Sequence, residues 1–506
     1  MKNIVIVLAL SALTACSSDF LDLKPEYYPN GGSFYETEGQ FEQAVAGMYS
    51  TMRGTVGIPG FIMGEMRSDN THYTRYEANR AWGDYEEVAD FTDDNEDVNT
   101  NAMYSICYQG ISRANTILDR IAGKSFPESF TKRVTGQAYF FRAYYYFLLV
   151  RFYGGVSLYV NEVRDPESSF LPRASVDEVY EVIVEDVKKA VSLLDKPSFP
   201  QNGKISQGSA RMLFAKALMT KPQRDYNEAA NQLQEVMKMG YALMPTYEEV
   251  FDITKKNNQE SLFEVQYQQG NQGQNSDWLY RFIPKTAEAE LITGVPNSNT
   301  IGEGGWNVPT QEMVDSYEKD DQRLLFSVKV AVGETNSDGL FVPEAVLNVN
   351  DPQIKEFGSF YYFINKYRHP HSRIMNTDDN WPIYRYSDVL LSLAECYVES
   401  GQAAQALPLV NQVRSRAGLP LVTDVTADLL ARERRHEFAF ENQRWFDLVR
   451  TGKAIEVMTG HGKRMKALYP YIQERAYHIT QERFVYPIPY REMQINTQLT
   501  QNPGYN

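Results

Sequence analysis

Residues 386–420, YSDVLLSLAECYVESGQAAQALPLVNQVRSRAGLP, decide the fold. Leu390, Leu393, Ala394 and Tyr397 stand at i, i+3, i+4 and i+7, the spacing that gathers side chains on one face of a helix. Beyond Gly401 the pattern restarts with Ala403, Ala406, Leu407, Val410 and Ala417. Gly418 suits the left-handed position just past a helix end, and Pro420 prevents continuation. The stretch predicts two helices joined by a tight turn, with an apolar side left for a neighbour to cover.

The same unit recurs upstream. Ala210, Leu213, Phe214 and Ala217 form a stripe that Pro222 breaks, and Tyr226, Ala230, Leu233 and Met237 form the next, ending at Gly240. Residues 138–152 are apolar nearly all round, which predicts a buried helix. Its partner, 176–194, opens on Ser175 and Glu178 in the spacing of a capping box, where each satisfies an orphan backbone donor. A helix near 101–121 carries Ile106, Gly110, Ala114, Ile117 and Ile121 on one face. Paired helices of this kind are the unit of tetratricopeptide-type repeats, and several must stack to bury their apolar faces. The predicted class is therefore mostly α, built of tetratricopeptide-like helical hairpins. Two long segments, 67–99 and 260–382, are rich in Gly, Asn, Asp and aromatics and read as ordered loops and short strands. This gives an N-terminal helical region over 31–259 and a C-terminal region over 260–506. The latter divides into a loop-rich lobe (260–382) and helical hairpins with a terminal strap (383–506).

The first residues carry an address. Lys2 precedes an apolar run from Ile4 to Leu13, too short for the roughly 20 residues that span a bilayer and suited to a signal peptide over 1–15. Leu13-Thr-Ala-Cys16 matches a bacterial lipoprotein cleavage box, so Cys16 is expected to begin the mature chain and carry lipid. Residues 16–30 then read as a tether. A net charge of −15 over 506 residues argues against nucleic acid, which demands Lys and Arg in excess. Three cysteines make no disulfide scaffold. Cys107 and Cys396, inside helical patterns, are expected as buried free thiols.

The C-terminal third is more specific. Lys366-Tyr367 and Pro382-Ile-Tyr-Arg385-Tyr386-Ser-Asp388-Val-Leu-Leu391 lead through Ala394-Glu395 to Asn411-Gln-Val-Arg414-Ser-Arg416-Ala-Gly418. Then come Arg432-Glu-Arg434-Arg435-His-Glu437-Phe-Ala-Phe-Glu441 and Gln443-Arg444-Trp445-Phe446-Asp447-Leu448. The chain closes on Tyr486-Pro-Ile-Pro489, Glu492, Asn496 and Gln501-Asn-Pro-Gly-Tyr505. This ordered series, together with the cleavage box, resembles the SusD/RagB family of Bacteroidota outer-membrane lipoproteins. Two departures are a sparse basic leader and Asn496-Thr497 where an Asn-Pro pair is usual. The resemblance implies a SusD-like α-α superhelix with an irregular ligand-facing lobe, moored at the cell surface. It also implies capture of an oligosaccharide, or in some relatives a peptide, and capping of a SusC-like TonB-dependent transporter.

Read as physical chemistry, these motifs are structural. On a helix predicted over about 431–449, Glu433, Glu437 and Glu441 repeat at i+4, with Arg434, Phe438 and Arg444 alongside. That mixed stripe predicts ion pairs locking the helix to its neighbours, with Trp445-Phe446 as an anchor. Pro487 and Pro489 predict an extended strap.

A sugar needs flat aromatic faces and hydrogen-bonding groups. Composition picks three candidates: Asp69, Asn70 and Tyr73, with Tyr76, Trp82 and Tyr85 behind; Trp278 and Tyr280 after a Gln/Asn/Gly-rich run; and Trp306. Trp306 is the most structural of these, since a helix start at Pro309-Thr310 holds it. The acidic run Asp93–Asp97 lacks the glycine and spacing of a calcium loop. It reads as a solvated turn, with Ca²⁺ the alternative; no cofactor is otherwise expected. His369 and His371 read as loop residues. No nucleophile elbow, zinc-helix motif or phosphate loop occurs, so no catalysis is expected. A two-carboxylate glycosidase and a scaffolding repeat protein are the rival classes.

Overall fold

A computed structural model describes residues 34–77 and 82–505. Cys16, the leader and the tether lie outside the described residues. Six helices of twelve residues or more come first among the described residues: α1 (Glu38–Val56), α2 (Val98–Ile121), α3 (Glu128–Tyr153), α4 (Val176–Leu193), α5 (Gln207–Thr220) and α6 (Tyr226–Met237). Late in the chain come α7 (Tyr386–Glu399), α8 (Ala403–Arg416), α9 (Ala427–Glu437), α10 (Arg444–Arg450) and α11 (Ala454–Leu468). From α1 to α8 each helix packs on the next. The capping box at Ser175 forms, with Glu178 accepting from the Ser175 amide at 2.8 Å. Among the described residues no helix is long and apolar enough to cross a membrane.

The order of packing holds across a large gap in sequence. α6 ends at Met237 and α7 starts at Tyr386, yet the two lie against each other. Everything between is an insertion into the helix stack. Two antiparallel strands, β2 (Ser261–Val265) and β7 (Trp381–Arg385), form its neck, pairing Ser261 with Arg385 and Val265 with Trp381. Beyond the neck lie a pair of two-residue strands, β1 (Thr71–His72) with β3 (Val308–Pro309), and a three-stranded antiparallel sheet. In that sheet β4 (Val328–Thr335) runs between β5 (Phe341–Asn348) and β6 (Ser359–Ile364).

α3 is the axis of the core. From Val134 to Tyr153 nearly every side chain is buried. Its tyrosine hydroxyls find backbone acceptors: Tyr145 donates to the Met48 carbonyl at 3.0 Å and Tyr146 to that of Tyr159 at 2.9 Å. α2 approaches closely because Gly110 has no side chain; a Cβ there would lie 2.2 Å from the Tyr145 ring. Cys107 and Cys396 are buried and free.

Three expectations are corrected. The helix predicted over 431–449 is two helices, α9 and α10, because buried side chains claim the backbone groups a continuous helix would use. The Glu65 carboxylate accepts from the amides of Phe440 (3.0 Å) and Asn442 (2.9 Å). Lys366 donates to the Ala439 carbonyl (2.7 Å) and Tyr367 to that of Phe440 (2.9 Å). Phe440 and Asn442 take left-handed conformations to allow it, at φ 65° and 61°. The terminal strap is extended only in part, since a six-residue helix, Tyr490–Ile495, follows Pro489. The acidic run is no solvated turn: Asp93 is buried and pairs with Arg67, and Asp97 caps α2 through the amides of Asn99 and Thr100.

The acids at 433, 437 and 441 do form ion pairs, the first two on α9 and Glu441 in the break beyond it. Arg385, at the end of β7, meets Glu260 (2.7 Å), Glu437 (2.9 Å) and Glu441 (2.9 Å). Arg416 of α8 reaches Glu260 (3.0 Å) and Glu437, and Lys366 reaches Glu441 (2.7 Å). Arg323 pairs with Asp321 and with Glu433 (3.0 Å). A second group joins Arg434 and Lys216 to Asp388, each at 2.7 Å, and Arg434 and Arg450 to Asp447. These side chains are almost wholly buried.

Gly110→Ala should lower the free energy of unfolding by about 1–3 kcal/mol through overpacking against Tyr145. Gly47→Ala, whose nearest neighbour to a new Cβ is an arginine tip at 3.9 Å, should stabilise α1 by roughly 0.5–1 kcal/mol. Opposite shifts in thermal melting check the pair. Glu437→Gln should cost about 3–5 kcal/mol, because it removes a buried negative charge shared by Arg385, Arg416 and Arg323 and leaves the remaining carboxylates to balance them alone. Burial alone would push the Glu437 carboxyl up, but Arg416, Arg385 and Arg323 outweigh it and hold it below the ordinary 4.5. A depressed carboxyl stabilises above its unfolded value and loses that contribution as pH falls. Urea midpoints of the parent should therefore drop between about pH 5 and pH 3, and less steeply in the Gln variant.

Candidate functional site

The lobe carries a connected series of aromatic rings assembled from distant parts of the chain. His72 of β1 stacks on Tyr469 (4.9 Å between centroids, 20°), and Tyr469 stacks on Tyr471 (5.3 Å, 28°). Tyr73 lies 4.2 Å from His72 and 6.2 Å from Trp306. Trp306 meets Tyr85 edge-on at 4.8 Å, and Tyr85 leads to Trp82 at 5.4 Å. Local sequence explains each end. Tyr469 leaves α11 in extended backbone, and a turn closed by the Ile472 amide donating to the Tyr469 carbonyl at 3.1 Å brings Tyr471 back beside it. Gly305, at φ 88°, turns the chain so that Trp306 can donate its amide to the Arg281 carbonyl at 3.0 Å.

The series has a buried layer and a half-exposed one. His72, Tyr73, Tyr85 and Trp306 are buried; Trp82, Tyr76, Tyr469 and Tyr471 keep part of their rings in solvent. The buried members hold the outer ones. The Tyr73 hydroxyl donates to Asp90 (2.8 Å), and His72 Nε2 lies 3.2 Å from the Tyr471 hydroxyl. Trp82 Nε1 donates to the Gly302 carbonyl at 3.0 Å. Cations lie over ring faces: Arg75 over Tyr471 at 5.1 Å, and Lys285 over Tyr76 at 5.1 Å. Such contacts add about 0.5–1 kcal/mol each at exposed positions. Burial holds the His72 imidazole neutral, well below its usual range, and pushes the Asp90 carboxyl up to about 7. The His72 ring beneath the surface is therefore uncharged near neutral pH.

Of the side chains chosen from composition, Asp69, Asn70, Tyr73 and Trp306 lie behind this surface, while Trp278 and Tyr280 pack against Trp381 and His371. Asp69 accepts from Arg444 (2.7 and 3.0 Å) and pairs with Arg435 (2.9 Å). Those two cations hold its carboxyl well below the usual range despite burial. Asn70 donates to Glu65 at 2.8 Å and accepts from Arg435 at 2.9 Å. Trp278 packs edge-on against Trp381 (4.9 Å), and Tyr280 sits 2.9 Å from His371 Nε2. Asp69, Asn70, Tyr73, Trp278, Tyr280 and Trp306 are each at most 4% exposed. In this conformation they offer no face to a ligand, which corrects the expectation of direct contact. Asp69, Asn70, Tyr73 and Tyr280 spend their hydrogen bonds inside the protein, whereas Trp278 Nε1 is buried without an acceptor among the described residues. Trp82 alone of the seven reaches the surface. Tyr469, Tyr471 and Arg75 were missed, and the Tyr-Pro-Tyr alternation was the one local signal for them. Among the described residues no cluster of three or more His, Cys, Asp or Glu side chains could hold a metal ion.

What this surface offers is adhesion: flat rings with fixed orientation, ringed by arginine, lysine and backbone carbonyls. Comparison with known proteins agrees with the architecture. Residues 259–505 match the SusD family, and residues 19–210 match a family described as starch-binding, associating with outer membrane. The chain is 25% identical over its whole length to SusD-like protein P38 of Formosa agariphila, spanning 99% of that protein. It is 22% identical to the starch-binding protein SusD of Bacteroides thetaiotaomicron, over 99% of this chain and 98% of that one. A solved structure of a laminarin-binding SusD-like protein superposes with a TM-score of 0.75 at 25% identity, over 93% of this chain and 100% of the other. With its helix stack, inserted lobe and C-terminal motifs in the family's order, the chain belongs to the SusD family.

Proposed function

We propose that this protein captures oligosaccharides at the outer surface of the outer membrane and hands them to a SusC-like TonB-dependent transporter, without cleaving them. One observation carries the reading: Trp82, Tyr76, Tyr469 and Tyr471 present partly exposed rings on one lobe, fixed by buried partners. The apolar face of a pyranose stacks on such rings, and the half-exposed Arg75 stands at hand for its hydroxyls. Each aromatic contact contributes about 0.5–1.5 kcal/mol. Two or three with hydrogen bonds give millimolar to micromolar affinity, about −4 to −8 kcal/mol. That strength suits a protein that must release its cargo. Support for the glycan class comes from relatives named for starch and laminarin. Support for the location comes from the outer-membrane association in the description of the family matched by residues 19–210. The mooring by lipid at Cys16 and the transporter partner rest on the cleavage box and family membership.

Titration calorimetry of the full chain against laminarin oligosaccharides, maltooligosaccharides and a tryptic peptide library tests the ligand class. Binding to a glycan without new reducing ends is expected, with Trp82→Ala and Tyr471→Ala each weakening it about twofold to tenfold. A hit confined to peptides, or the appearance of reducing ends, would replace this reading. For the anchor, Cys16→Ala should shift the protein from the membrane to the soluble fraction of cells; retention in the membrane fraction would refute lipidation there.

A further inference from the structure

Away from the aromatic lobe, a cavity of about 220 Å³ opens where α2, the 155–171 loop and the short C-terminal helix Tyr490–Ile495 meet. Three tyrosines wall it. Tyr104 and Tyr108 lie 4.8 Å apart, and Tyr108 and Tyr159 meet nearly at right angles at 5.8 Å. Two of the rings are pinned by their hydroxyls: Tyr108 donates to the Ser157 carbonyl at 2.8 Å and Tyr159 to that of Ser169 at 2.7 Å. Phe170 and Ile495, 40% and 54% exposed, stand at its rim.

Two polar groups at the opening are uncommitted. The Glu492 carboxylate, which acts electrostatically on both Tyr104 and Tyr159, makes no hydrogen bond or ion pair among the described residues. Nor does the hydroxyl of Ser105, exposed on α2. Behind the tyrosines sits Arg173, whose charge acts on Tyr104 and Tyr108. Its guanidinium donates to the carbonyls of Gly155, Tyr153 and Thr500 and to Asn502, and meets no carboxylate. One negative group at the mouth and one positive group behind the wall leave the cavity without net charge. A net cation or a net anion would gain from one and lose to the other. A neutral ring with many hydroxyls suits it better: hydroxyls donate to Glu492 and accept from Ser105, and the apolar ring face meets tyrosine and Phe170. The volume lies below the roughly 300–1,000 Å³ that takes a drug-sized ligand, and so fits a single ring.

We infer that this cavity is a second carbohydrate subsite, taking one neutral pyranose unit independently of the lobe. It rests on the capture reading for the class of ligand only; its place and residues are separate.

Saturation-transfer difference NMR tests it on the full chain, with methyl glycosides of glucose, galactose and mannose, and glucosamine as a cationic control. The Trp82→Ala/Tyr471→Ala double variant, which lacks the lobe surface, is expected to keep transfer from at least one neutral glycoside. Adding Glu492→Ala, or Ser105→Trp to fill the mouth, should weaken that signal roughly tenfold. Both positions face solvent in part, and circular dichroism checks that the variants fold. No transfer in the double variant, transfer unaltered by both added changes, or binding of glucosamine alone would overturn the subsite. None of those results bears on oligosaccharide binding at the lobe, which the parent chain reports by itself.

Discussion

Arg385 is the residue on which the arrangement turns. It ends the strand that leaves the lobe, and its guanidinium is divided among Glu260, Glu437 and Glu441. Glu260 sits just before the strand that enters the lobe, and Glu437 ends α9. One buried cation thus ties both sides of the neck to the helix stack. Such a group is costly to desolvate, and the attraction repays that cost only with close geometry and every remaining donor satisfied. Here the donors are satisfied: the Glu437 carbonyl and the Ser387 hydroxyl take what the carboxylates leave. The value of the network lies less in net stability than in register. A slipped neck or a rotated α9 would leave several charges buried without partners, so competing packings are disfavoured.

The ligand-facing surface inherits this rigidity through a second chain of contacts. Asn70 and Asp69, two and three residues before His72, are bound to Glu65, Arg435 and Arg444. Glu65 in turn fixes the break between α9 and α10. The rings therefore stand on polar groups that are themselves fastened to the stack. This is why residues with suitable chemistry for a sugar lie below the surface: their task is orientation, and they spend their hydrogen bonds on it.

Sequence periodicity reported the stack well, because helical spacing and caps are local. The hairpin at 386–420, the buried helix around 138–152 and the Ser175 cap all form where the pattern places them. Glu433 and Glu437 were also legible as ion-pairing acids, since i+4 spacing alone puts them on one face of α9. What failed was anything set by distant partners. The break at 438–443 has no glycine or proline to announce it, and depends on Glu65, Lys366 and Tyr367. The surface failed for the same reason. Composition cannot tell an aromatic ring that faces solvent from one that props it up, and Tyr469 and Tyr471 lie nearly 400 residues from the loop they complete. The loop-rich lobe at 260–382 was legible from composition, but not the packing of α6 on α7 beneath it, because those helices are neighbours only in space.

The wide separation of the rings along the chain has a consequence for biogenesis. His72 emerges early from the ribosome, Trp306 midway, and Tyr471 within the last tenth of translation. Any truncated product can assemble helices, but none ending before Tyr471 can finish the surface. The aromatic surface is therefore completed late, only once Tyr469 and Tyr471 have joined rings made hundreds of residues earlier.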